Sequence, residues 1–473
     1  MADDATLPPT RADTDLSALV AAVGADLVVT DPDVLASYAH DDAEWAPYGR
    51  PLALVRPETS EQVRAAVAWC AEHRVPVIAR GAGTGLSGGA NAVDGALMLS
   101  LERMTRVLEV STVERWVRVQ PGVVNDHLRA AVAEQGLWYP PDPASSPWST
   151  IGGNIATNAG GMCCVKYGVT GDYVLELEIV TAAGELTRVG RRTAKGVAGY
   201  DLCSLIVGSE GTLAIVTEAV LRLRPLPAEP ITVAGYFTSV VDAGNAVRAV
   251  AAAGLVPSTF ELVDKHCLAA VDAWKHMGLS VEAEIVLIAR TDVPGDGGLA
   301  EATGLVQCFE EAGATFVAQS SDPQESEALY AARRLAYPAV ERLGPVLTED
   351  VCVPMAKVPE MLSRIEEIAQ RYDVTIANVA HVGDGNLHPL LIVPPNDEEA
   401  KAHAQAAFEE VITATLQMGG TVTGEHGVGL LKLPGLLREL SPTTLAMHHA
   451  VKAALDPHGI LNPGKVIPVP DPS

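Results

Sequence analysis

Two histidines flank a short turn in the C-terminal part of the sequence. His381 and His388 stand on either side of the motif GDGN at 383–386, a strong signal for a β-hairpin turn between two apolar strands. If Val382 pairs with Leu387, the histidines lie directly opposite each other on one face, with Cβ atoms about 5 Å apart. Two imidazoles in this arrangement can share one metal ion.

The motif TGEHGVG at 423–429 offers a third ligand, because its glycines allow both Glu425 and His426 to approach a metal closely. Two histidines and one carboxylate leave a coordination position open. This is the pattern of a catalytic Zn²⁺ site, with Fe²⁺ or Mn²⁺ as alternatives. Histidines with a purely structural role beside a turn are the other interpretation of the pair. The nearby GEHG motif favours the metal site.

Arg333 and Tyr337 are four positions apart in a segment with helix-start signals. The helix is expected to begin at Ser321, with Pro323 in its first turn and Gln324 at the capping-box position. One helical turn then brings the guanidinium and the phenol to one face, where they can hold a carboxylate together. The alternative is a solvated arginine beside a packed tyrosine.

A glycine-rich loop follows the short apolar run at 75–78. Five glycines occur within 81–89, and such a loop lets backbone N–H groups converge on a phosphate. The stretch 83–88 matches the dinucleotide fingerprint G-x-G-x-x-G, but residues 95–101 predict another strand where that fingerprint requires a helix. We therefore expect a phosphate-binding loop between two strands of a fold that is not Rossmann. An ordinary glycine-rich surface loop is the alternative.

Two further glycine clusters follow, IGGNIATNAGG at 151–161 and GSEGTL at 208–213. The first also carries asparagine and threonine, whose side chains can hydrogen-bond a heterocycle or a ribityl chain. Each cluster alone is compatible with turn chemistry. Three clusters within about 130 residues predict a large, extended, phosphate-bearing cofactor.

Composition narrows the classes of protein. The 473 residues suffice for two or three domains. A formal net charge of −26 repels nucleic acid and anionic membranes, so neither is an expected partner. Without a membrane-spanning apolar run or a signal peptide, and with a short disordered acidic lead, a cytoplasmic protein is expected. The seven cysteines include no C-x-x-C, which argues against disulfides and against an iron–sulfur cluster held by this chain alone.

The element pattern predicts an α+β protein. Helices are expected at 61–73, with Ser60 as N-cap, and at 125–135. Three prolines within 224–230 indicate a domain boundary. Strands and helices alternate over 231–319, which is typical of an α+β domain with helices on one face of its sheet.

Six motifs, in this order, carry a family resemblance: RGAGTGLSGGA, PPDPASSPWSTIGGNIATNAGG, VGSEGTLAIVTE, HVGDGNLH, TGEHGVG and LNPGK. They resemble the FAD-dependent D-2-hydroxy-acid dehydrogenases of the vanillyl-alcohol-oxidase superfamily, of the glycolate oxidase flavin subunit and D-lactate dehydrogenase type. The resemblance implies an α+β fold with a two-lobed FAD-binding domain of the PCMH type and an α+β substrate cap domain. The implied division is an N-terminal lead and helix at 1–40, the FAD-binding domain at 41–228, the cap with its metal site at 229–430, and a segment at 431–473 that returns to the FAD domain.

The resemblance also implies an FAD site. The residues carried over are Arg80, Gly81, Gly83, Thr84, Gly85, Leu86, Ser87, Gly88, Pro140, Asp142, Gly152, Gly153, Asn154, Asn158, Gly160, Gly161, Tyr167, Gly168, Glu210, Gly211, Ile215, Asn462 and Lys465. Some members of the superfamily attach FAD covalently through a histidine in the first glycine loop. Residues 80–90 contain no histidine, so non-covalent FAD is expected.

The implied catalytic group uses the residues described first. The metal ligands are His381, His388 and Glu425, and zinc is the expected ion, with manganese or iron as alternatives. His426 matches the catalytic base, and Arg333 with Tyr337 would hold the substrate carboxylate. A metal bound by the α-hydroxyl and the carboxylate would lower the hydroxyl pKa, and His426 would take the proton as hydride leaves Cα for flavin N5.

Two departures from the family bear on the substrate. Relatives specific for 2-hydroxyglutarate place a lysine at the position of Thr348 and an asparagine at the position of Leu390. Without these partners for a distal carboxylate, we expect a small monocarboxylate, D-lactate or glycolate, with D-2-hydroxyglutarate as the alternative.

A metallohydrolase with purely structural glycine loops is the rival class. The electron acceptor would be a quinone, a cytochrome or an iron–sulfur subunit that can hold the enzyme at the membrane periphery. A homodimer is the candidate assembly.

Overall fold

The computed structural model describes residues 14–279 and 283–469. Most of the predicted N-terminal lead, residues 1–13, lies outside the described residues, as do 280–282 and 470–473. The described helices include none that is long and apolar enough to cross a membrane. The mixture of helices and sheets confirms the α+β class.

The described part of the chain before residue 226 contains seven α-helices, two larger sheets and one two-stranded sheet. Its helices are α1 (Ser17–Val23), α2 (Pro32–Tyr38), α3 (Ser60–His73), α4 (Asn125–Ala133), α5 (Ile151–Thr157), α6 (Cys164–Tyr167) and α7 (Leu202–Ile206). Its strands are β1 (Val28–Val29), β2 (Ala53–Val55), β3 (Val77–Arg80), β4 (Leu97–Ser100), β5 (Val107–Ser111), β6 (Trp116–Val119), β7 (Leu137–Trp138), β8 (Val174–Val180), β9 (Leu186–Gly190), β10 (Ile215–Arg222) and β11 (Arg224–Pro225).

The first sheet has the order β1-β2-β4-β3, and β4 runs parallel to both of its neighbours. The glycine-rich loop therefore connects two adjacent parallel strands without a helix, as expected from the sequence. Ile460 and Leu461, near the C-terminus, join the hydrophobic core of this sheet, and Leu461 bridges to Val77 on β3. The second sheet is antiparallel, with the order β5-β6-β10-β8-β9, and β11 pairs separately with β7.

The rest of the chain builds one large sheet with long helices. The helices are α8 (Val240–Ala252), α9 (Lys265–Lys275), α10 (Asp296–Glu311), α11 (Pro323–Glu341), α12 (Val358–Tyr372), α13 (Glu398–Gln417), α14 (Leu433–Glu439) and α15 (Pro442–Leu455). The strands are β12 (Ile231–Phe237), β13 (Thr259–Asp264), β14 (Ile285–Thr291), β15 (Phe316–Ser320), β16 (Val346–Thr348), β17 (Val351–Cys352), β18 (Thr375–His381) and β19 (Asn386–Ile392).

The large sheet has the order β15-β12-β14-β13-β18-β19-β16, with β17 also paired to β19. Helices α8, α10, α12 and α13 pack on one face, while α9 and α11 pack on the other. The expectation of helices on one face only was therefore wrong. The central strands are apolar at successive positions, as in β14, where all residues except Arg290 are buried, so both faces need a cover.

The histidine hairpin has a different register from the predicted one. His381 pairs with Asn386, and His388 pairs with Val379, so the loop consists of residues 382–385. Gly385, at φ 85°, donates its N–H to the His381 carbonyl at 3.1 Å, which closes the turn at His381. The predicted pairing of Val382 with Leu387 was wrong. The histidines are diagonal neighbours, but they remain on the same face because side chains alternate with a period of two.

Two helix caps differ from the predicted ones by one residue, one position earlier for α3 and one position later for α11. Thr59, not Ser60, caps α3, in a capping box with Gln62. Asp322, not Ser321, caps α11, because its carboxylate accepts hydrogen bonds from the N–H groups of the first helical turn. The helices themselves occur where the sequence predicted them.

Candidate active site

One cavity of about 1450 Å³ brings together the glycine clusters and the candidate catalytic residues. One wall consists of the three glycine clusters, β10 and their neighbours. The opposite wall consists of the cavity-facing side of α11 and the ends of β18 and β19, together with the loop at 423–429. The structure thus brings Gly81 and His426, which are 345 positions apart, into one cavity.

The first wall, which we call the glycine wall, presents mainly backbone. Its glycines are Gly81, Gly83, Gly85, Gly89, Gly152, Gly153, Gly160 and Gly211. A Cβ on Gly81 would lie 2.4 Å from Thr150 Oγ1, so a side chain cannot be added there without movement. A Cβ on Gly153 or Gly211 would meet no atom closer than 3.4 Å and 3.7 Å, respectively, and would take up cavity space instead. The wall is therefore shaped for a ligand that approaches the backbone closely.

Fifteen of the predicted FAD residues line the cavity. They are the glycines of the glycine wall other than Gly89, seven in all, together with Arg80, Thr84, Leu86, Ser87, Asp142, Asn154, Glu210 and Ile215. The other eight do not line it; they are Gly88, Pro140, Asn158, Gly161, Tyr167, Gly168, Asn462 and Lys465. Several of these support the wall from behind. Asn462 donates hydrogen bonds to the carbonyls of Gly89 and Glu210 at 2.8 and 2.6 Å, and Lys465 donates to Asn462 Oδ1 at 2.7 Å.

The asparagines of the second glycine cluster have partners within the protein. Residues 151–157 form α5, and Asn154 accepts from Asn125 Nδ2 at 2.9 Å and donates to Ser149 Oγ at 3.2 Å. Asn158 adopts a left-handed conformation at the end of α5, and its Oδ1 accepts from the Gly171 N–H at 2.8 Å. Both amides are thus held in place by protein partners, and their contact with a cofactor stays a prediction.

The opposite wall, which we call the ionic wall, carries Arg333, His381, His388, Glu425 and His426. Nε2 of His381 and Nε2 of His388 each lie 3.3 Å from Glu425 Oε1. The imidazole of His426 stacks on that of His388, with ring centroids 5.0 Å apart. The predicted ligands and the predicted base thus converge, despite the changed hairpin register.

The ionisation of this group follows from burial and close charges. Burial alone would raise the pKa of Glu425, but His381 and His388 lower it far below its ordinary value. Burial lowers the pKa of His426 to about 4, with further lowering by His388 and Lys432. The His426 imidazole is therefore neutral at pH 7 and can accept a proton.

Asp350 belongs to this group, although sequence reasoning missed it. One donor atom from each of Asp350, His388, Glu425 and His426 lies within 4.8 Å of the others. Oδ2 of Asp350 accepts from the three successive backbone N–H groups of 424–426 at 2.8 to 3.0 Å. Burial would raise the pKa of Asp350, but Lys432, at 3.3 Å, and the histidines hold it well below its ordinary value. A permanently ionised carboxylate thus fixes the loop that carries Glu425 and His426.

Glu261 is the second residue that sequence reasoning missed. It is fully buried on β13 and contacts both Arg333 and His381. The available signal was a charged residue in the middle of an apolar strand, since such residues are rarely buried without a partner. The adjacent acids Glu349 and Asp350, between two short apolar runs, gave the same kind of signal.

Family models match both parts of the chain. The model of the C-terminal domain of FAD linked oxidases matches residues 226–466, about half of the sequence, and a model of an FAD binding domain matches residues 51–190. The chain belongs to the FAD-linked oxidases. The rival interpretation as a metallohydrolase is therefore wrong, and the enzyme class expected from the motifs is confirmed.

Relatives of this FAD-linked oxidase cover most of its length. Glycolate oxidase subunit GlcD of Bacillus subtilis (strain 168) is 39% identical, over 88% of this chain and 89% of its own. Glycolate oxidase subunit GlcD of Escherichia coli (strain K12) is 38% identical, over 91% and 88%. D-lactate dehydrogenase of Anaerostipes hadrus is 35% identical, over 93% and 94%. These matches confirm the family expected from the motifs.

Solved structures confirm the fold type. A 4-ethylphenol oxidase from Gulosibacter chungangensis superposes with a TM-score of 0.79 at 19% identity, covering 96% of this chain and 97% of its own. A p-cresol methylhydroxylase superposes with a TM-score of 0.81 at 17% identity, covering 95% and 96%. At such identities the likeness concerns the fold alone.

The glycine wall and the ionic wall can be tested against the two groups that the sequence implied. The cavity exceeds the usual range for small-ligand sites, about 300–1,000 Å³, and the missing Cβ atoms of Gly153 and Gly211 leave room for an extended ligand, so the residues fit FAD. For a metal, Nδ1 of His388 and Oδ1 of Asp350 are buried and have no hydrogen-bond partner among the described residues. Two imidazoles, a carboxylate and such unsatisfied neighbours fit a divalent cation.

Proposed function

We propose that this FAD-linked oxidase oxidises a small D-2-hydroxy monocarboxylate, D-lactate or glycolate, to the 2-oxo acid. The observation that carries the proposal is the convergence of His381, His388, Glu425 and His426 in the cavity that the glycine wall lines. The names of the relatives, glycolate oxidase subunit and D-lactate dehydrogenase, support the same substrate class. The alcohol carbon would lie between the two walls.

The two bound groups would supply distinct chemistry. FAD, held without a covalent bond against the glycine wall, would accept the hydride. A divalent ion, zinc in our proposal with manganese or iron as alternatives, would act as a Lewis acid that lowers the hydroxyl pKa. The residues proposed to hold this ion are His381, His388 and Glu425.

His426 is the proposed base. Its Nε2 lies 4.0 Å from Glu425 Oε1, the atom on which the other two histidines converge, so this nitrogen faces the place of the substrate hydroxyl. Its lowered pKa keeps the ring neutral and ready to take the hydroxyl proton at Nε2. The carboxylate of Asp350, which accepts from the His426 backbone N–H at 2.8 Å, keeps the residue in place.

Arg333 and Tyr337 are proposed to hold the substrate carboxylate. Both line the cavity from one face of α11. Nε of Arg333 donates a hydrogen bond to Glu261. Its two terminal nitrogens have no hydrogen bond among the described residues and can make a bidentate contact with the substrate carboxylate. Burial raises the pKa of Tyr337 to about 12, so its phenol stays protonated and can donate a hydrogen bond.

The cavity lining around Thr348 and Leu390 supports a monocarboxylate. Thr348 and Leu390 face each other across β16 and β19 and line the cavity without a charge. Glu341, on the same face of α11 as Tyr337, would repel a second carboxylate there. Arg334 also lines the cavity, but its guanidinium is paired with Glu327.

We also propose the division into an FAD-binding domain at 41–228, a cap at 229–430 and a C-terminal segment at 431–473, with 1–40 as the lead. The start of the C-terminal family model at residue 226 supports the boundary at Arg224–Pro230. A separate acceptor, which is a quinone, a cytochrome or an iron–sulfur subunit, would reoxidise the flavin.

The substrate class is tested by steady-state turnover with a dye acceptor. The substrates are D-lactate, glycolate, L-lactate and D-2-hydroxyglutarate, assayed with the same enzyme preparation. We expect the highest kcat/KM for D-lactate or glycolate. A higher kcat/KM for D-2-hydroxyglutarate would contradict the proposed monocarboxylate preference, and no turnover of any of these acids would contradict the proposed reaction.

A further inference from the structure

Glu261 lies at the junction of the two functions of the ionic wall. It is fully buried near the middle of β13, and the register of the sheet sets it directly opposite His381 on β18. Helix α11 packs on the same face of the sheet and brings Arg333 to it. Three elements of the fold thus meet at one carboxylate.

The contacts of this carboxylate are short and directional. Glu261 Oε2 accepts from Arg333 Nε at 2.7 Å. Oε1 and Oε2 lie 2.8 and 2.9 Å from His381 Nδ1. Each partner therefore uses one nitrogen for Glu261 and keeps its other nitrogens for the cavity: the terminal nitrogens of Arg333, and Nε2 of His381, which lies 3.3 Å from Glu425 Oε1.

The second histidine of the proposed metal site lacks such a link. His388 Nδ1 lies 3.7 Å from Asp350 Oδ1, and neither atom has a hydrogen-bond partner in the described ranges. Asp350 in turn contacts the loop at 423–429 and Lys432. Of the two histidines, only His381 is joined through one carboxylate, Glu261, to Arg333, the residue proposed to bind the substrate carboxylate.

The charge of Glu261 is as important as its shape. Arg333 is only 6% exposed, and a guanidinium at such a depth is strongly destabilised without an anionic partner. A carboxylate behind a ligating imidazole also orients the ring and makes it a better ligand. Both effects need the negative charge at the same position.

We propose that Glu261 is a positioning residue that controls the carboxylate-binding arm, Arg333, and the metal-binding arm, His381, together. This inference rests on the proposed function, since it takes from it what the two arms bind. Glu261 itself contacts neither substrate nor flavin. Loss of its charge weakens both arms, whereas a change in either arm alone weakens one.

The test compares four variants of the FAD-loaded protein by binding measurements without turnover. Affinity for Zn²⁺ is measured by competition with a chromogenic chelator. Affinity for propanoate, which has a carboxylate and no hydroxyl to oxidise, is measured on metal-free protein through the change in flavin absorbance. The variants are Glu261→Gln, Arg333→Met, His388→Ala and the matched control Glu284→Gln, which removes a carboxylate paired with Lys265 away from the cavity lining.

The proposal predicts a distinct pattern. Glu261→Gln weakens Zn²⁺ binding by at least about tenfold and propanoate binding by a similar factor. Arg333→Met weakens only propanoate binding, His388→Ala weakens only Zn²⁺ binding, and Glu284→Gln leaves both within twofold of wild type. If Glu261→Gln leaves either affinity within twofold of wild type, the coupling is overturned.

A second variant covers the case in which an unpaired Arg333 prevents folding. Glu261→Gln combined with Arg333→Met removes both buried charges, a change that proteins commonly tolerate. Its Zn²⁺ affinity should be reduced as in Glu261→Gln, whereas Arg333→Met alone keeps the wild-type value. Equal Zn²⁺ affinities of the double variant and of Arg333→Met would overturn the proposal. The affinities of the wild-type protein test the proposed function, while the ratios between variants test the role of Glu261.

Discussion

The two walls of the cavity are built in opposite ways. The glycine wall presents backbone, and its shape comes from missing side chains at positions such as Gly81, Gly153 and Gly211. The ionic wall presents charged and imidazole side chains, and two buried carboxylates, Glu261 and Asp350, hold it from behind. A wall made of backbone can receive a large ligand closely, whereas a wall made of ionisable groups can bind a cation and move protons.

The difference also concerns how the residues are held. Each glycine cluster of the glycine wall consists of residues close together in sequence, so local turn geometry shapes much of each cluster. The ionic wall depends on pairs as distant as Glu261 and His381, which are 120 positions apart. Its geometry therefore depends on the register of the large sheet and on the packing of α11, and single substitutions far from the cavity can disturb it.

The largest expected effect comes from removing the base of the ionic wall. Replacing His426 with asparagine should lower kcat by about 10²–10⁴-fold, the usual contribution of a general base. The flavin spectrum should be unchanged, because the glycine wall is intact. Stopped-flow reduction of the flavin measures the effect, and a kcat within threefold of wild type would exclude His426 as the base.

The next effect lies at the point where the two walls touch. A Cβ on Gly160 would lie 2.4 Å from Glu425 Oε2, so Gly160→Ala should displace a proposed metal ligand and weaken Zn²⁺ binding by about tenfold or more. Gly153→Ala is the matched control, since its Cβ enters the cavity 3.4 Å from Thr150 Oγ1. It should weaken FAD binding and leave Zn²⁺ binding unchanged. Chelator competition and flavin fluorescence measure the two affinities, and identical profiles for both variants would contradict the separation of the walls.

A smaller effect is expected on substrate choice, within the ionic wall. Thr348→Lys combined with Leu390→Asn adds partners for a distal carboxylate at two positions that line the cavity. The ratio of kcat/KM for D-2-hydroxyglutarate to that for D-lactate should rise about tenfold, as one new charge-assisted hydrogen bond allows. Leu390→Asn alone serves as the control with a smaller rise. An unchanged ratio in the double variant would show that these positions do not contact the substrate.

The smallest effect concerns stability behind the ionic wall. Burial raises the pKa of Glu349 from its usual 4.5 to about 8, while the adjacent Asp350 stays ionised. Between pH 4.5 and about pH 8 the folded protein keeps a proton on Glu349 that the unfolded chain has released. The free energy of unfolding therefore falls as the pH rises, by up to about 1.4 kcal/mol per pH unit. The stabilisation by this proton is complete below about pH 4.5 and is lost as the pH rises past about 8.

Glu349→Gln should remove that dependence. From pH 5.5 to 8.5 the melting temperature of the wild type should therefore fall more than that of the variant. Glu310→Gln, a change at an exposed position of α10, is the control and should follow the wild type. Equal slopes for wild type and Glu349→Gln would contradict the protonated state of Glu349.

Sequence patterns identified much of this architecture, and the limits have a physical cause. The glycine clusters and the motifs around His381, His388 and Glu425 are local, so their spacing carried enough information. The hairpin register was wrong because Gly385 closes the turn one position earlier than the composition indicated. Glu261 was missed because its partners, Arg333 and His381, are 72 and 120 positions away, and only the folded sheet brings them together.

The central claim is that the two walls act together on one 2-hydroxy acid. The most direct test is anaerobic reduction of the flavin by D-lactate and by glycolate, measured as the loss of the visible flavin absorbance bands. The measurement is made on the protein with its metal, after the metal is removed by a chelator, and after Zn²⁺ is restored. We expect bleaching with one of these acids, at least about 100-fold slower reduction without metal, and recovery when the ion returns. Reduction at an unchanged rate after the metal is removed, or bands that neither acid bleaches, would contradict the account.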